Sequence, residues 1–336
     1  MARHLMAALA QGLGRPVTPI SDLRSFEPLG ETSRQTAIAA AAEAEVARLS
    51  RRAARPALWV TYHNYYKAPD LLGPGLSSAW DIPYVLIEAT RARKRLTGAW
   101  ASFAAAAERA TDAAQVVFAL TARDRVALDR DRPASQQVAT LPPFLNRQTL
   151  PARSPCDGPM LAVGMMRPGD KLASYRLIAA ALGHLRTRNW RLDIAGDGAA
   201  RDAVGALFAP FGDRVTYLGA CDPDALADRY QRASLLVWPG VNEAFGMVYL
   251  EAQAAGLPIV AQDRPGVRDV LPPGTYPPVE AGAEGLAARL DTLLGDRSER
   301  RRLGADGRRN AAARHLMPAA ARRLRDVLTP LIEIAA

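Results

Sequence analysis

The sequence predicts an α/β protein with two domains, each built around a parallel sheet. Its 336 residues exceed one typical domain of roughly 100 to 200 residues. Apolar segments of strand length alternate with segments of helix length, which is the pattern of parallel strands joined by helices. A proline-rich segment interrupts this alternation near the middle of the chain. These three observations favour two consecutive α/β domains over a single one.

The first half contains four predicted strands. In order, the predicted elements are helix Ala2 to Gly12, extended segment Val17 to Ile20, helix Ser33 to Arg52, strand Leu58 to Tyr62, strand Tyr84 to Glu88, helix Thr97 to Ala110, strand Val116 to Leu120, helix Ala122 to Asp129 and strand Val138 to Leu141. A polar and aromatic cluster, His63-Asn64-Tyr65-Tyr66-Lys67, follows the first strand, and a loop rich in Gly and Pro follows the cluster. Such loops often carry functional side chains.

Five prolines between Pro142 and Pro159 mark the predicted linker. We place the domain boundary near Arg153, which gives an N-terminal domain of residues 1–152 and a C-terminal domain of residues 153–336. The last helix is expected to pack back on the N-terminal domain.

The second half shows the alternation more regularly and predicts a doubly wound sheet. Its elements are strand Met160 to Val163, helix Ala173 to Leu185, strand Arg191 to Ala195, helix Ala199 to Ala209, strand Arg214 to Leu218, helix Pro223 to Arg232, strand Leu235 to Trp238, helix Phe245 to Ala255 and strand Pro258 to Ala261. Ligands of such sheets bind beyond the carboxyl ends of the strands, so the loops that follow the strands are the candidate site.

Composition argues against several classes of protein. The longest apolar runs are short alanine stretches, well below the roughly 20 residues of a membrane span, and the N-terminus does not resemble a secretory signal. A cytoplasmic location is therefore expected. Cys156 and Cys221 are far apart and have no neighbouring ligands, so we expect reduced thiols and no metal site.

The net charge of +9 raises the question of a polyanionic partner. Only three of the 43 basic residues are lysines, an arginine bias that coding composition also explains, and no nucleic-acid partner is expected. The densest basic stretch, Arg300 to Arg325, lies in a predicted helical region. It fits either a solvated helix face or a peripheral contact with anionic lipid at the inner face of the membrane.

The most informative segment runs from Trp238 to Ala261 and places two acids eight positions apart, Glu243 in a loop and Glu251 in the following helix. Eight helical positions span about 12 Å, too far for the carboxylate pair of a glycosidase, so the two acids suit opposite ends of an elongated ligand. Between them, the amides of Phe245, Gly246 and Met247 open a helix, whose N-terminus favours anions or sugar oxygens.

This segment resembles the family 4, or group 1, retaining glycosyltransferases of the GT-B fold. Their signature is Glu, seven residues and a second Glu, with a Phe-Gly pair and a later Gly-x-Pro, found here as Phe245-Gly246 and Gly256-Leu257-Pro258. The resemblance implies two Rossmann-like domains that face a cleft. It also implies that Glu243 lies by the donor sugar and that Glu251 holds the ribose of a nucleotide sugar.

The segment Val163 to Lys171 resembles the loop in which this family places an Arg and a Lys against the donor diphosphate. Met165 occupies the usual Arg position, so Arg167 is expected to substitute for it and Lys171 to keep the cationic role. Two fixed cations would stabilise the charge that accumulates as the sugar departs. The nearby Gly196-Asp197-Gly198 lacks the third glycine of a dinucleotide fingerprint, and the resemblance explains it as a family turn.

In the first half, His63 lies at the carboxyl end of a strand, where the family has a His near the reacting sugar. We expect it to bond a sugar hydroxyl or the acceptor, with Asn64, Tyr65, Tyr66 and Lys67 as a candidate acceptor platform; core packing explains the aromatic residues equally well. Members of the family also begin with a strand and a Gly-rich turn before their first helix. Residues 3–6 of this sequence are already typical of that first helix.

The resemblance therefore implies transfer of a sugar from a UDP-, GDP- or ADP-linked donor to the hydroxyl of a glycan, lipid-linked or small-molecule acceptor, with retention of configuration and no required cofactor. Two other classes stay open: a nucleotide-sugar epimerase or hydrolase of the same fold, and a non-catalytic basic module. A dinucleotide oxidoreductase is disfavoured by the incomplete glycine pattern.

Overall fold

A computed structural model describes residues 1–334 of the chain. The chain divides into two compact units: Met1–Pro142 together with the segment that begins at Ala320, and Pro143–Ala319. This division precedes the expected boundary at 152/153 because the proline-rich segment already bonds to the second unit. The amide of Leu145 donates to the carbonyl of His315 over 2.8 Å, and that of Ser154 donates to the carbonyl of Ala255 over 2.9 Å.

The first unit holds a four-stranded parallel sheet in the order β1-β2-β3-β4. Its elements are α1 (Ala2–Leu13), α2 (Thr32–Leu49), β1 (Trp59–Asn64), α3 (Gly73–Trp80), β2 (Tyr84–Ala89), α4 (Ala101–Ala113), β3 (Val116–Ala119), α5 (Ala122–Asp131) and β4 (Gln137–Thr140). In the part of the chain that the structure describes, β1 lies at the edge of this sheet. The segment predicted as extended, 17–20, is irregular.

Helix α3 lies in a segment that the sequence predicted as a loop because of its glycines and prolines. Asp70 explains the difference. Its carboxylate accepts hydrogen bonds from the amides of Leu72 and Gly73 over 2.9 and 2.8 Å, which satisfies two donors at the start of the helix. Pro74 is tolerated because it falls in the first turn.

The second unit holds a five-stranded parallel sheet in the order β7-β6-β5-β8-β9. Its elements are β5 (Met160–Val163), α6 (Asp170–Gly183), β6 (Leu192–Ala195), α7 (Arg201–Phe208), β7 (Val215–Gly219), α8 (Pro223–Arg232), β8 (Leu235–Val237), α9 (Met247–Ala255), β9 (Ile259–Val260), α10 (Pro265–Arg268), α11 (Gly282–Gly295) and α12 (Arg297–Arg314). A last helix, α13 (Met317–Ile334), starts here and continues into the first unit, where a Cβ at Gly12 would meet the carbonyl of Ala321.

The central strands of both sheets are buried, whereas the edge strands β1, β4 and β7 include exposed residues. Strands β2, β3 and β5 consist almost entirely of buried residues, as expected for parallel strands between helical layers. In the second unit, the rings of Tyr175 and Trp238 meet edge to face with centroids 5.2 Å apart. Trp238 is fully buried, so this core reaches the loop that follows β8.

The basic stretch Arg300 to Arg325 is largely engaged within the chain. The Arg300 side chain donates to the carbonyl of Cys156 over 3.0 Å, and that of Arg308 donates to the carbonyl of Ala254 over 2.6 Å. Three others pair with acids close in sequence: Arg302, Arg309 and Arg325. Contact of this stretch with anionic lipid stays a prediction. None of the helices described in residues 1–334 is both long and apolar enough to span a membrane.

Candidate active site

The strand order of the second unit changes direction at β5. The chain passes from β5 to β6 and β7 on one side, then crosses to β8 and β9 on the other side. In open α/β sheets, ligands bind at such a switch point, beyond the carboxyl ends of the strands. The loop after β5 leads to Lys171 and the loop after β8 carries Glu243, so the topology brings two of the predicted site residues together.

The loop after β8 is fixed to the first turn of α6. The Asn242 amide donates to the carboxylate of Asp170 over 2.8 Å, and the backbone amide of Val241 donates to the Ser174 hydroxyl over 3.3 Å. Asn242 has φ 49°, a left-handed conformation that asparagine tolerates better than most residues. These bonds hold the backbone on which Glu243 is mounted.

Lys171, Glu243 and Trp238 form one connected group. The Lys171 ammonium contacts the Glu243 carboxylate and lies 5.3 Å from the centroid of the Trp238 ring. The indole N–H of Trp238 donates to Glu243 Oε1 over 3.1 Å. The side chains of Lys171 and Glu243 are 19% and 12% exposed, so both charges are partly removed from water. A cation and an anion thus meet at the carboxyl edge of the sheet.

Helix α9 begins at this group. Its N-cap is Gly246, which has φ 52°, and a Cβ there would lie 2.6 Å from the Tyr249 ring. A side chain at this position is therefore disfavoured both by backbone conformation and by space. Phe245 and Met247 flank the N-cap and are half-buried. The first amides of the helix lack intrahelical partners by geometry and can bind an anion or a sugar oxygen.

Glu251 lies one turn inside α9 and is half-buried. The Tyr230 hydroxyl, on α8, donates to Glu251 Oε2 over 2.8 Å. Burial raises the pKa of the Glu251 carboxyl, against the opposing effects of Tyr230 and of the positive charge of Arg147. The environment of Glu251 thus favours protonation, and a ligand that donates hydrogen bonds would stabilise its charged form.

The loop after β5 places Arg167 and Met165 at the surface, whereas Met166 is buried. The Met166 amide donates to the carbonyl of Asp197 over 2.9 Å, and a Cβ at Gly198 would lie 2.5 Å from the Met166 carbonyl oxygen. The Gly196-Asp197-Gly198 turn is therefore a close backbone contact that supports the loop of Arg167.

In the first unit, His63 and Glu88 are the next-to-last residues of two neighbouring strands, β1 and β2. His63 Nδ1 lies 3.4 Å from Glu88 Oε2, and the His63 ring contacts the Tyr65 ring at a centroid distance of 4.6 Å. Burial alone raises the pKa of Glu88, but His63 and Tyr62 stabilise the carboxylate and the pKa is lowered overall. An ionised acid thus lies beside an exposed imidazole.

The residues that follow His63 differ in whether their side chains are free to contact an acceptor. Asn64 is buried, and its side chain bonds the carbonyl of Ala107, the Thr111 hydroxyl and the amide of Asp70. All its polar atoms are thus committed to the fold, and we exclude Asn64 from the acceptor platform.

Tyr65, Tyr66 and Lys67 are half-exposed. The Tyr66 ring meets Trp100 edge to face at 5.3 Å, and the Lys67 ammonium lies 5.1 Å from the Trp100 ring. These contacts fix the aromatic surface without hiding it.

No cluster of three or more His, Cys, Asp or Glu side chains suited to a metal ion occurs within the described residues 1–334.

Comparison with known proteins identifies the second unit. Residues 170–310 match the family described as glycosyl transferases group 1. This segment holds Lys171, Glu243 and Glu251. The similarity to this family is thus shown for residues 170–310. The resemblance predicted from the two-glutamate motif is confirmed at this level.

Three curated relatives share 30 to 38% identity with this chain over part of their length. The D-inositol 3-phosphate glycosyltransferase of Streptomyces bingchenggensis is 30% identical over 207 residues, 55% of this chain and 42% of the relative. That of Nocardia farcinica is 38% identical over 115 residues, 33% of this chain and 26% of the relative. The alpha-D-kanosaminyltransferase of Streptomyces kanamyceticus is 31% identical over 157 residues, 45% of this chain and 40% of the relative. The chain thus spans less than half the length of these relatives.

Solved structures extend the similarity to nearly the whole chain. Sucrose-phosphate synthase from Thermosynechococcus elongatus superposes with a TM-score of 0.71 at 20% identity, over 99% of this chain and 93% of the other. Anabaena HepE, solved with UDP and glucose, gives a TM-score of 0.65 at 15% identity, over 96% of this chain and 88% of the other. At these identities the similarity concerns the fold. The predicted fold class, α/β with two Rossmann-like parallel-sheet domains as in GT-B, is confirmed.

Sequence reasoning missed three residues of these sites: Trp238, Tyr230 and Glu88. The sequence pattern predicts Trp238 only as the last residue of a strand. Its position five residues before Glu243 is the feature that could have indicated a contact with that acid. Glu88 ends an otherwise apolar strand, which also sets it apart. Tyr230 carried no sequence signal, because its role depends on how α8 packs against α9.

Proposed function

We propose that the protein transfers a sugar from a nucleotide-sugar donor to an acceptor hydroxyl with retention of anomeric configuration. The observation that carries this proposal is the group of Lys171, Glu243 and Trp238 at the switch point of the second sheet, next to the N-terminus of α9. A cation, an acid and unpaired amides side by side suit a ligand with both phosphate and sugar hydroxyl groups.

In this proposal the second unit binds the donor. Lys171 and Arg167 bind the diphosphate, together with the amides of Phe245, Gly246 and Met247. Glu251 accepts hydrogen bonds from the ribose hydroxyls, which compensates the cost of its buried charge. Because negative charge grows on the diphosphate as the sugar leaves, fixed cations lower the barrier more than they strengthen ground-state binding.

The transfer itself forms one bond and breaks another at the anomeric carbon. The acceptor oxygen bonds to that carbon on the face from which the diphosphate leaves, the carbon–oxygen bond to phosphate breaks, and its electron pair departs with the diphosphate. The acceptor proton passes to a phosphate oxygen. Glu243 and His63 stabilise the positive charge on the sugar, and Tyr65, Tyr66 and Lys67 contribute to the acceptor site.

The relatives support the donor class without fixing the base or the sugar. Two of them are D-inositol 3-phosphate glycosyltransferases, another transfers kanosamine by its name, and HepE was solved with UDP and glucose. We therefore include UDP-, GDP- and ADP-sugars in the proposal, and glycans, lipid-linked sugars or small molecules as acceptors.

The experiment combines binding and turnover. Thermal-shift measurements against a panel of UDP-, GDP- and ADP-sugars should give one donor that raises the melting temperature, because it binds only the folded state. With that donor, Glu251→Ala should raise Kd at least tenfold, whereas Glu243→Ala should lower kcat at least a hundredfold with Kd within about threefold. NMR of the product should show the anomeric configuration of the donor.

Other outcomes would contradict the proposal. Wild-type kinetics in both variants would remove the assignment of the two acids. Release of free sugar or of an isomer without any acceptor would identify a hydrolase or an epimerase. Salt-sensitive binding to nucleic acid, with no binding of any nucleotide sugar, would favour a non-catalytic basic module.

A further inference from the structure

Two neighbouring strands of the first unit carry the same unusual backbone at facing positions. Strands β1 and β2 pair Tyr62 with Ile87 and Asn64 with Ala89, so His63 and Glu88 occupy the positions in between. Both are non-glycine residues in the left-handed region, with φ values of 72° and 64°. This conformation is unfavourable for residues with a Cβ, and residues held in it cluster at functional sites. Here two such residues, His63 and Glu88, lie at facing positions of paired strands.

The two left-handed backbone positions bring the side chains of His63 and Glu88 close together. His63 Nδ1 and Glu88 Oε2 are 3.4 Å apart. The Glu88 side chain is 19% exposed, whereas that of His63 is 43% exposed, so the acid is the more buried of the two. The Tyr62 and Tyr65 rings flank the imidazole at centroid distances of 5.7 and 4.6 Å. The His63 ring thus contacts two aromatic rings and lies beside a carboxylate, while its side chain stays partly exposed.

This contact bears on which ring nitrogen carries the hydrogen. Glu88 Oε2 is buried and has no hydrogen-bond partner in the described residues, and His63 Nδ1 lies 3.4 Å from it. Because a carboxylate accepts hydrogen bonds and donates none, the acid favours the form of His63 that carries hydrogen on Nδ1 and can direct it to this oxygen. Nε2, on the other side of the ring, then has a free lone pair. An imidazole in this form can accept a hydrogen bond from a hydroxyl group, and the acid keeps it oriented in the way that outer carboxylates orient metal-bound and catalytic histidines.

We propose that Glu88 is a positioning residue that holds His63 with Nε2 directed at a hydroxyl group of the acceptor other than the attacking one, whose proton passes to the phosphate. The inference rests on the proposed transferase function and assigns a role to a residue that the family motifs do not cover. In this view, the strained backbone at both positions is retained because it brings the two side chains into contact.

A double-mutant cycle tests the coupling. Glu88→Gln should lower kcat for transfer about tenfold or more, with donor Kd within twofold of wild type. His63→Gln should lower kcat further, and adding Glu88→Gln to it should cost less than another twofold, since Glu88 acts only through His63. Independent, multiplying effects of the two substitutions would overturn the proposal, as would wild-type transfer by Glu88→Gln.

Glycine variants separate strain from chemistry. Glu88→Gly relieves the left-handed backbone and should keep the melting temperature within a few degrees of wild type while transfer falls as in Glu88→Gln. The matched control is Asp81→Gly, at an exposed left-handed position (φ 53°) at the end of α3. It should retain full transfer. If Glu88→Gly also retains full transfer, Glu88 has no positioning role.

Nitrogen-15 NMR of labelled histidine provides a readout that does not depend on activity. The chain has only four histidines, and the His63→Gln variant assigns the signal of His63. At pH 8 the wild-type imidazole should carry its hydrogen on Nδ1, and Glu88→Gln should remove this preference. A wild-type His63 with hydrogen on Nε2 would overturn the inference. Failure of every donor to react would instead overturn the proposed function, while the NMR result would still decide whether Glu88 orients His63.

Discussion

The Tyr230 hydroxyl donates a hydrogen bond to the Glu251 carboxylate over 2.8 Å, and this bond joins helices α8 and α9. Tyr230 is 3% exposed, and the environment of the pair raises the pKa of Glu251, mainly through burial. A carboxyl whose pKa is higher in the folded state than in the unfolded state costs stability when it is charged. The charged Glu251 carboxylate, the proposed ribose-binding acid, thus lowers the free energy of unfolding of the ligand-free protein at neutral pH.

We therefore expect Glu251→Gln to increase the free energy of unfolding at pH 7 while it weakens donor binding about tenfold or more. The stability gain should vanish below about pH 4, where the wild-type carboxyl is protonated in both states. Urea unfolding at pH 7 and pH 4, with donor titrations at pH 7, provides the check.

The matched variant for this test is Tyr230→Phe. It leaves Glu251 charged but without its donor, and it should lower the unfolding free energy at pH 7 by roughly 1–3 kcal/mol. If Tyr230→Phe and Glu251→Gln have equal free energies of unfolding, the hydrogen bond from Tyr230 does not stabilise the charged form of Glu251.

Trp238 is expected to orient Glu243 through its indole N–H. Trp238→Phe keeps an aromatic face beneath Lys171 but removes this donor, so kcat should fall about tenfold with donor Kd nearly unchanged. The smaller ring should also cost roughly 1–3 kcal/mol of stability. Trp190→Phe is the control, since Trp190 is also buried in the second unit, where it packs against Phe211. If Trp238→Phe and Trp190→Phe lower kcat equally, poorer packing of the core of the second unit explains the loss, and the indole N–H of Trp238 does not.

Lys171 and Arg167 should act on the diphosphate and not on the nucleoside. Lys171→Gln should weaken binding of the nucleoside diphosphate at least tenfold while the nucleoside alone binds as before, and Arg167→Gln should have a smaller effect because that side chain is more exposed. Calorimetric titrations measure both ligands, with the exposed Lys94→Gln on the first unit as a control. Equal losses for nucleoside and diphosphate would contradict this assignment.

His315 predicts acid sensitivity of the second unit. Burial lowers its pKa to about 4, although its Nδ1 lies 2.7 Å from the carbonyl of Pro143. As pH falls from about 6.5 to 4, the unfolded chain takes up a proton that the folded chain does not, so stability should fall by roughly 3 kcal/mol from this residue.

Urea unfolding of the wild type and of His315→Gln between pH 7 and pH 4.5 measures this contribution. The variant should show a shallower loss of stability with acid, whereas the exposed control His184→Gln should follow the wild type. Parallel curves for His315→Gln and the wild type would show that the imidazole is not the source.

The sequence by itself determined the α/β class, most of the alternating elements and the resemblance of the two-glutamate motif to group 1 glycosyl transferases. Periodicity and the two-glutamate spacing are local, and local patterns survive without knowledge of packing. The predicted strand Met160 to Val163 and helix Pro223 to Arg232 match the observed elements. The sequence did not predict helix α3, because Gly73 and Pro74 favour a loop and the hydrogen bonds that Asp70 accepts at the start of the helix depend on the folded backbone. The burial of Asn64 likewise cannot be predicted from its polar and aromatic neighbours.

Only the tertiary structure decided which side chains meet. The pairs Lys171 with Glu243, Tyr230 with Glu251 and His63 with Glu88 join residues on different elements. The strand order that brings β5 beside β8 creates the first contact, the packing of α8 against α9 the second, and the register of β1 against β2 the third. The physical reason is that a hydrogen bond or an ion pair acts over a few ångströms, whereas the residues that form these pairs lie 21 to 72 positions apart in the chain.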